Sequence, residues 1–302
     1  MDHEETLMII SAMRRQEETE YFCRDYLNMV EDPADDDTDE IRSDANGNSS
    51  APCDATCRQI MFYWMVRVVD FFPSMTRETV AYAMSYLDRF LQSKAGADAR
   101  RKRSVFQLAA ISCLYMAVKI HESSAVSPQF LEKLSQAEYT VKDVEGMELT
   151  ILAALGWRMS TPTALAFLRQ FMAIIPKVFL NGDLREEVFQ IAKYQTEVAL
   201  SDYKYVTVNG STVAYCALLN ALDMFQIDSI QIGWFVSEAA QIVRDSIYTI
   251  HIQQSLARDH VNHATLKGSP VSAGYEHAIR SSMKVRAPSG HNSSPRTVCN
   301  TA

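Results

Sequence analysis

The 302 residues are 47% hydrophobic and 22% charged, enough apolar material to fill the cores of two ordinary domains. The formal charge of −8 is concentrated, because residues 31–54 hold nine acids against one base, Arg42, and the remainder is near neutral. A near-neutral folded region argues against the basic surface of a nucleic-acid binder, and the six scattered cysteines have no His or second Cys pair at zinc spacing.

Taken in chain order, residues 6–29 begin with Leu7, Ile10 and Met13 at helical spacing, followed by Glu17 and Tyr21, which predicts a first helix within an N-terminal segment 1–30. Residues 31–54 combine acids with Pro, Gly, Asn and Ser, have little to bury, and read as a disordered acidic insertion. From Cys57 the pattern becomes a succession of helices. Ile60, Met61, Trp64, Met65, Val68 and Phe72 form one stripe, ended by Pro73. Thr76 is a cap for the next helix, with Val80, Met84, Leu87 and Leu91 on its buried side. Lys94–Arg103 reads as a loop. Ser104 then caps a helix from Val105 to Ile120 that is apolar almost all round, so other helices must surround it. Ser127-Pro128 opens a short helix through Phe130, Leu131 and Leu134. Thr140 caps another, Val141 to Leu155, with Gly156 as its left-handed stop.

Thr161-Pro162 repeats the cap-and-proline device and opens a second set, with helices near 162–175, 184–201, 211–225 and 229–256, the last broken near Gly233. Tyr203–Val208 is strand-like in composition but isolated, and is read as a connecting loop. From residue 257 the chain turns polar and loses its period, which predicts a disordered tail, 257–302. The fold class is therefore all-α, in two consecutive helical bundles over 55–159 and 160–256.

Catalytic chemistry is not visible. The ten glycines include no phosphate-cradling loop, His121-Glu122 begins a zinc-protease pattern that Ala125 breaks, and there is no nucleophile elbow. The reading is no enzyme, no cofactor and no metal. The acidic start is unlike a secretory leader, and the longest apolar run, Val105–Val118, is too short to span a bilayer. The nucleus and cytoplasm are therefore the expected compartments, with no membrane and no nucleic-acid partner. Arg100-Arg101-Lys102-Arg103 is a candidate nuclear localisation signal.

Several stretches together resemble the cyclin box. Cys57-Arg58-Gln59-Ile60 through Tyr63-Trp64-Met65-Val66 is similar to the family's first-helix signature, and Tyr86-Leu87-Asp88-Arg89-Phe90-Leu91 to its next. Gln107-Leu108, Ala117-Val118-Lys119, Met147-Glu148-Leu149, Leu155-Gly156-Trp157 and Thr161-Pro162 follow in order. The match covers residues 57–171, and the second half resembles the family's second fold. The early helix, and Tyr63 rather than an acid before Trp64, lean toward the G1 (D-type) members.

This resemblance implies a regulatory subunit that binds and activates a cyclin-dependent protein kinase in cell-cycle control at G1/S. Arg58 and Asp88 match the family's buried ion pair. Lys119 and Glu148, with Glu122, match residues that grip the kinase. Cys57, Ile60, Met61, Trp64, Arg67 and Gln107 match the exposed patch that docks Arg-x-Leu peptides of substrates and inhibitors. Cys57 replaces the usual methionine there, Arg67 replaces a glutamate that attracts the peptide's base, and His121 replaces an acid near the kinase contact. The alternatives are a transcription factor on the same fold, or an adaptor scaffold that does not activate a kinase.

Overall fold

A computed structural model describes residues 3–29, 52–123, 139–180, 182–240 and 246–266. Among these residues there is no strand, only helices and turns. The helices are α1 (His3–Thr19), α2 (Ala55–Phe71), α3 (Glu78–Leu91), α4 (Ala97–Arg101), α5 (Arg103–His121), α6 (Val141–Ala154), α7 (Ala164–Ile174), α8 (Gly182–Ser201), α9 (Gly210–Met224), α10 (Ser229–Ala240) and α11 (Ser246–Leu266).

The chain divides into two units. Among the described residues, one is formed by those between Cys23 and Met159, and the other joins residues 3–22 to those of 160–266. Each is built around one helix. In the first unit, α5 packs against α2, α3, α4 and α6. Its Phe106, Ala109, Ala110, Ile111, Cys113, Leu114, Met116, Ala117 and Val118 are all buried, as an apolar circumference requires. By length and composition α5 would suffice to cross a membrane, but those apolar faces are occupied by its neighbours. In the second unit, α9 has the same role among α7, α8, α10 and α11.

Helix α1 belongs to this second unit, packing on α7 and α10. Ile10 is fully buried in that core, with Leu7 and Met13 against it. Glu17 continues the same stripe and is also buried. Its carboxylate accepts from the Ser211 backbone N–H at 3.0 Å and from the Ser211 hydroxyl. It thereby caps α9, whose own N-cap residue, Asn209, makes no side-chain bond. Burial pushes the Glu17 carboxyl up to about 7, opposed by the Ser211 bonds and by Arg14.

The sign of the pH dependence follows. An unfolded Glu17 ionises near 4.5 and the folded one near 7. This unit therefore loses stability as pH rises between those values, by on the order of 3 kcal/mol, and is level above them. Urea unfolding of Glu17→Gln beside the wild type should remove that slope; an identical slope in both would contradict the assignment.

Several ends differ from the expected ones for local reasons. The N-cap of α7 is Thr163, whose hydroxyl accepts from Ala166 N at 3.0 Å, rather than Thr161. Helix α3 begins without a cap from Thr76. The Glu122 carboxylate accepts instead from Thr76 N at 2.8 Å and from the Thr79 hydroxyl. The loop Lys94–Arg103 contains a 3-10 turn and α4, and α5 starts at Arg103 without a side-chain cap. Arg100 is drawn inward there, donating to Ser93 O at 3.1 Å and to Leu91 O. It closes the end of α3, so the basic run is not a uniformly solvated patch.

Gly233 does not break a helix. A Cβ there would lie 2.7 Å from Leu219 Cδ2, so the missing side chain lets α10 approach α9 closely. The last helix extends ten residues past the expected end at 256. Ile252, Leu256 and His260 continue a buried stripe at intervals of four, and no Gly or Pro intervenes before Gly268. Asp259 is held as well, by the Tyr205 hydroxyl at 2.6 Å and by Lys204 at 2.7 Å. Tyr203–Tyr205 itself is a 3-10 turn, in keeping with a connecting role. The acidic residues 31–51, Ser127-Pro128 with the helix expected after it, and the tail from 267 lie outside the described residues.

Candidate functional site

The ends of α5 and α6 bring two charges together. Lys119 Nζ lies 2.6 Å from Glu148 Oε1, and 4.8 Å from the centroid of the Tyr115 ring. The lysine side chain is 41% exposed and the glutamate 14%, so both reach the surface while the glutamate is mostly sheltered. Helix α6 is positioned by a capping box in which Thr140 and Asp143 satisfy each other's backbone N–H. Ile120 and Leu149, the next residue in each helix, are 47% and 63% exposed. An ion pair thus lies beside apolar surface. In the isolated chain each charge satisfies the other, and the pair's exposure keeps that mutual hold weak.

The last turn of α5 is braced on its other side. The His121 ring stacks on Tyr82, with centroids 3.6 Å apart and planes at 7°. Its Nε2 is 2.7 Å from the Tyr86 hydroxyl, which itself donates to Met159 O at 2.7 Å. The tyrosine's single proton being used there, His121 must donate through Nε2. Burial holds the His121 ring below its usual pKa, against Glu78 and Glu122, which keeps it neutral near pH 7. Glu122, expected at the kinase contact, has one oxygen committed to the start of α3.

Arg58 and Asp88 meet as a bidentate pair, Nε to Oδ1 and Nη2 to Oδ2, both at 2.8 Å. Both residues are buried. Burial pulls the guanidinium's pKa down, but the charge and hydrogen bonds of Asp88 outweigh it and hold Arg58 above its usual value. The Tyr26 hydroxyl donates to Asp88 Oδ1 at 2.8 Å. Nothing in the spacing around Tyr26 signals this third member. Arg89, next in the motif, is also buried and donates to Arg158 O at 2.9 Å.

The docking patch departs from expectation. Cys57, Met61, Trp64 and Gln107 are only 5%, 1%, 7% and 3% exposed, Ile60 is half-buried and Arg67 is exposed. Four of the six are core residues here rather than an open apolar surface, because α2 buries most of its circumference and not one stripe. The residue that is exposed, Arg67, carries the charge that would repel a basic peptide.

Gly156 and Trp157 both adopt left-handed backbone conformations, φ 58° and 61°. The glycine stop of α6 is therefore extended by one bulky residue, whose N–H returns to Leu152 O at 3.0 Å. Among the described residues no group of His, Cys, Asp and Glu could hold a metal ion.

Comparison with known proteins gives this geometry a family. Residues 9–160 match the family described as Cyclin, N-terminal domain, and residues 162–235 match Cyclin, C-terminal domain. Cyclin-B2-2 of Arabidopsis thaliana is 32% identical over 164 residues, covering 54% of this chain and 35% of that protein. Putative cyclin-A3-1 of the same plant is 28% identical over 200 residues (65% and 52%), and G2/mitotic-specific cyclin-B1 of Caenorhabditis elegans is 29% identical over 177 residues (58% and 47%). The matches thus span about a third to a half of these relatives' own length. These relatives are A- and B-type, which supports the family and not the D-type lean. The X-ray structure of a viral cyclin from herpesvirus saimiri superposes with a TM-score of 0.55 at 19% identity, covering 70% of this chain and 88% of that one, which shows the shared fold. With one domain match filling half the chain and a second following directly, the protein belongs to the cyclin family.

Proposed function

We propose that this cyclin binds and activates a cyclin-dependent protein kinase through the rim formed by Lys119, Glu148, Ile120 and Leu149. Cyclins are regulatory, non-enzymatic subunits, so the chemistry belongs to the partner. The supporting observation is the 2.6 Å meeting of Lys119 and Glu148, 29 positions apart in sequence, beside exposed Ile120 and Leu149. A kinase needs its mobile αC helix turned inward so that its glutamate reaches the ATP-site lysine. An ammonium and a carboxylate at one rim can exchange their mutual bond for hydrogen bonds to the backbone around that helix. The carboxylate favours the helix's positive N-terminal end. The flanking apolar side chains supply contact area, and binding then selects the active arrangement.

The reading toward G1/S rests on the helix at 6–21 and on Tyr63, while relatives named A-type, B-type and G2/mitotic-specific pull toward later stages. Peptide docking through Cys57, Ile60, Met61, Trp64, Arg67 and Gln107 would require that face of α2 to open, and Arg67 would alter its preference. Nuclear and cytoplasmic residence accords with a kinase regulator.

Co-purification with cyclin-dependent kinases, followed by phosphorylation of histone by the complex, tests the proposal. Binding with stimulated phosphorylation is expected. Binding without stimulation would make the chain an adaptor, and the absence of both would overturn the proposal.

A further inference from the structure

We infer that Ser104 is a phosphorylation site for a basophilic serine/threonine protein kinase, with Arg101 and Lys102 as the residues that kinase reads. Arg101, Lys102 and Arg103 directly precede Ser104, and the apolar Val105 follows it. No other serine or threonine in the sequence has basic residues both two and three positions before it. Guanidinium and ammonium groups at fixed distances from an acceptor hydroxyl are what carboxylates in a peptide cleft select, and such charge patterns decide which substrates a kinase takes.

The fold sorts the basic residues. Arg100 is drawn inward by Leu91 O and Ser93 O, and Arg103 is half-buried. Arg101, Lys102 and Ser104 are exposed. The acceptor and its two determinants thus face solvent while the residues between and before them anchor the segment. The Tyr139 hydroxyl donates to Ser104 O at 3.0 Å, holding the backbone and not the side chain.

A kinase takes its acceptor in extended form, and this stretch is close to it. Lys102 is already extended, φ −123° and ψ 117°, where the five-residue α4 gives way to α5. No side chain caps α5, and its opening bond runs from Phe106 N–H to Lys102 O at 3.0 Å. Arg103, Ser104 and Val105 precede that bond. The first turn of an uncapped helix opens locally without unfolding the rest.

The step balances with ATP as the phosphoryl donor. The Ser104 hydroxyl oxygen attacks the γ-phosphorus. The new O–P bond forms as the bond to the β,γ-bridging oxygen breaks, ADP leaves, and the hydroxyl proton passes to the kinase's aspartate. The product places about −1.5 to −2 charges in the first turn of α5, at the helix's positive end and beside Arg101, Lys102 and Arg103. The phosphate therefore caps a helix that has no side-chain cap of its own. None of this rests on the proposed kinase activation, because here the chain is a substrate and the isolated protein suffices to read the result.

Purified full-length protein incubated with magnesium ATP and the catalytic subunit of cyclic-AMP-dependent protein kinase, then digested for mass spectrometry, tests the inference. Expected is one phosphate on Ser104, absent from Ser104→Ala and formed at least about tenfold faster than at any other residue. Arg101→Ala with Lys102→Ala should slow it at least about tenfold while leaving the melting curve of the unphosphorylated chain unchanged. Phosphorylation of the wild type should raise its melting temperature by about 2–4 °C. Ser104 left unlabelled in the folded protein, phosphate forming first elsewhere, or an equal rate in the double variant would overturn the site. A melting temperature lowered by the phosphate would overturn the cap.

Discussion

Replacing Lys119 or Glu148 with alanine is expected to weaken kinase association at least about 30-fold while leaving the melting curve nearly unmoved. The two expectations have different physical sources. Removing one member of an interfacial hydrogen-bonded charge pair costs about 2–5 kcal/mol in binding, because its partner group is left buried and unsatisfied. In the free chain the same pair lies at the surface, with Lys119 41% exposed. Surface pairs contribute at most about 1 kcal/mol to stability. A charge-swapped double variant, Lys119→Glu with Glu148→Lys, separates the roles further. It keeps an intramolecular pair but presents the opposite sign at each place to the kinase. Titration calorimetry of the three variants beside the wild type decides the matter. If both single variants bind as the wild type does, or if the swap restores binding, the pair is merely structural and the proposed interface is wrong.

The second large effect concerns folding. Arg58→Ala should destabilise the Cys23–Met159 unit by about 3–5 kcal/mol, a sizeable share of the 5–15 kcal/mol that holds a typical domain together. Asp88 would remain buried with only the Tyr26 hydroxyl to satisfy it. Asp88→Ala should be as damaging, since the buried guanidinium then loses both its bonds to a carboxylate. Tyr26→Phe removes one bond of the three and should cost about 1–2 kcal/mol. The double replacement Arg58→Met with Asp88→Leu is the informative control. If the harm comes from an uncompensated buried charge, the double variant will be more stable than either alanine single. Thermal unfolding measures all four. A melting temperature unchanged by Arg58→Ala would refute the role assigned to the pair.

Much of this was legible in the residues. The central helix of the first unit announced itself by lacking a polar face, and the all-helical class followed from period alone. Lys119, Glu148, Arg58 and Asp88 could be placed through motif register, which fixes where a residue falls on a helix. Solvent access was less legible. Cys57, Met61 and Trp64 lie on one side of α2, but whether that side is open depends on what packs there, which no local pattern encodes. Glu17 shows the converse case. It stood on the apolar stripe of Leu7, Ile10 and Met13, and an acid at such a position signals a buried polar partner. Its partner, Ser211, is 194 positions away, beyond the reach of any window. The end of α11 was missed because Arg258, Asp259 and His260 look like solvent-facing composition. Lys204 and Tyr205, which hold Asp259, lie 55 and 54 positions earlier in the sequence.

The long separation between Glu17 and Ser211 also shapes how the protein is made. On the ribosome the first helix emerges well before the core that will receive Ile10. At roughly 5–20 residues per second, about 10–40 seconds pass before α9 is synthesised. During that interval an amphipathic segment with an acid in its apolar stripe has no native neighbour. The second unit is thus completed by a helix synthesised 194 positions before the residue that its Glu17 caps.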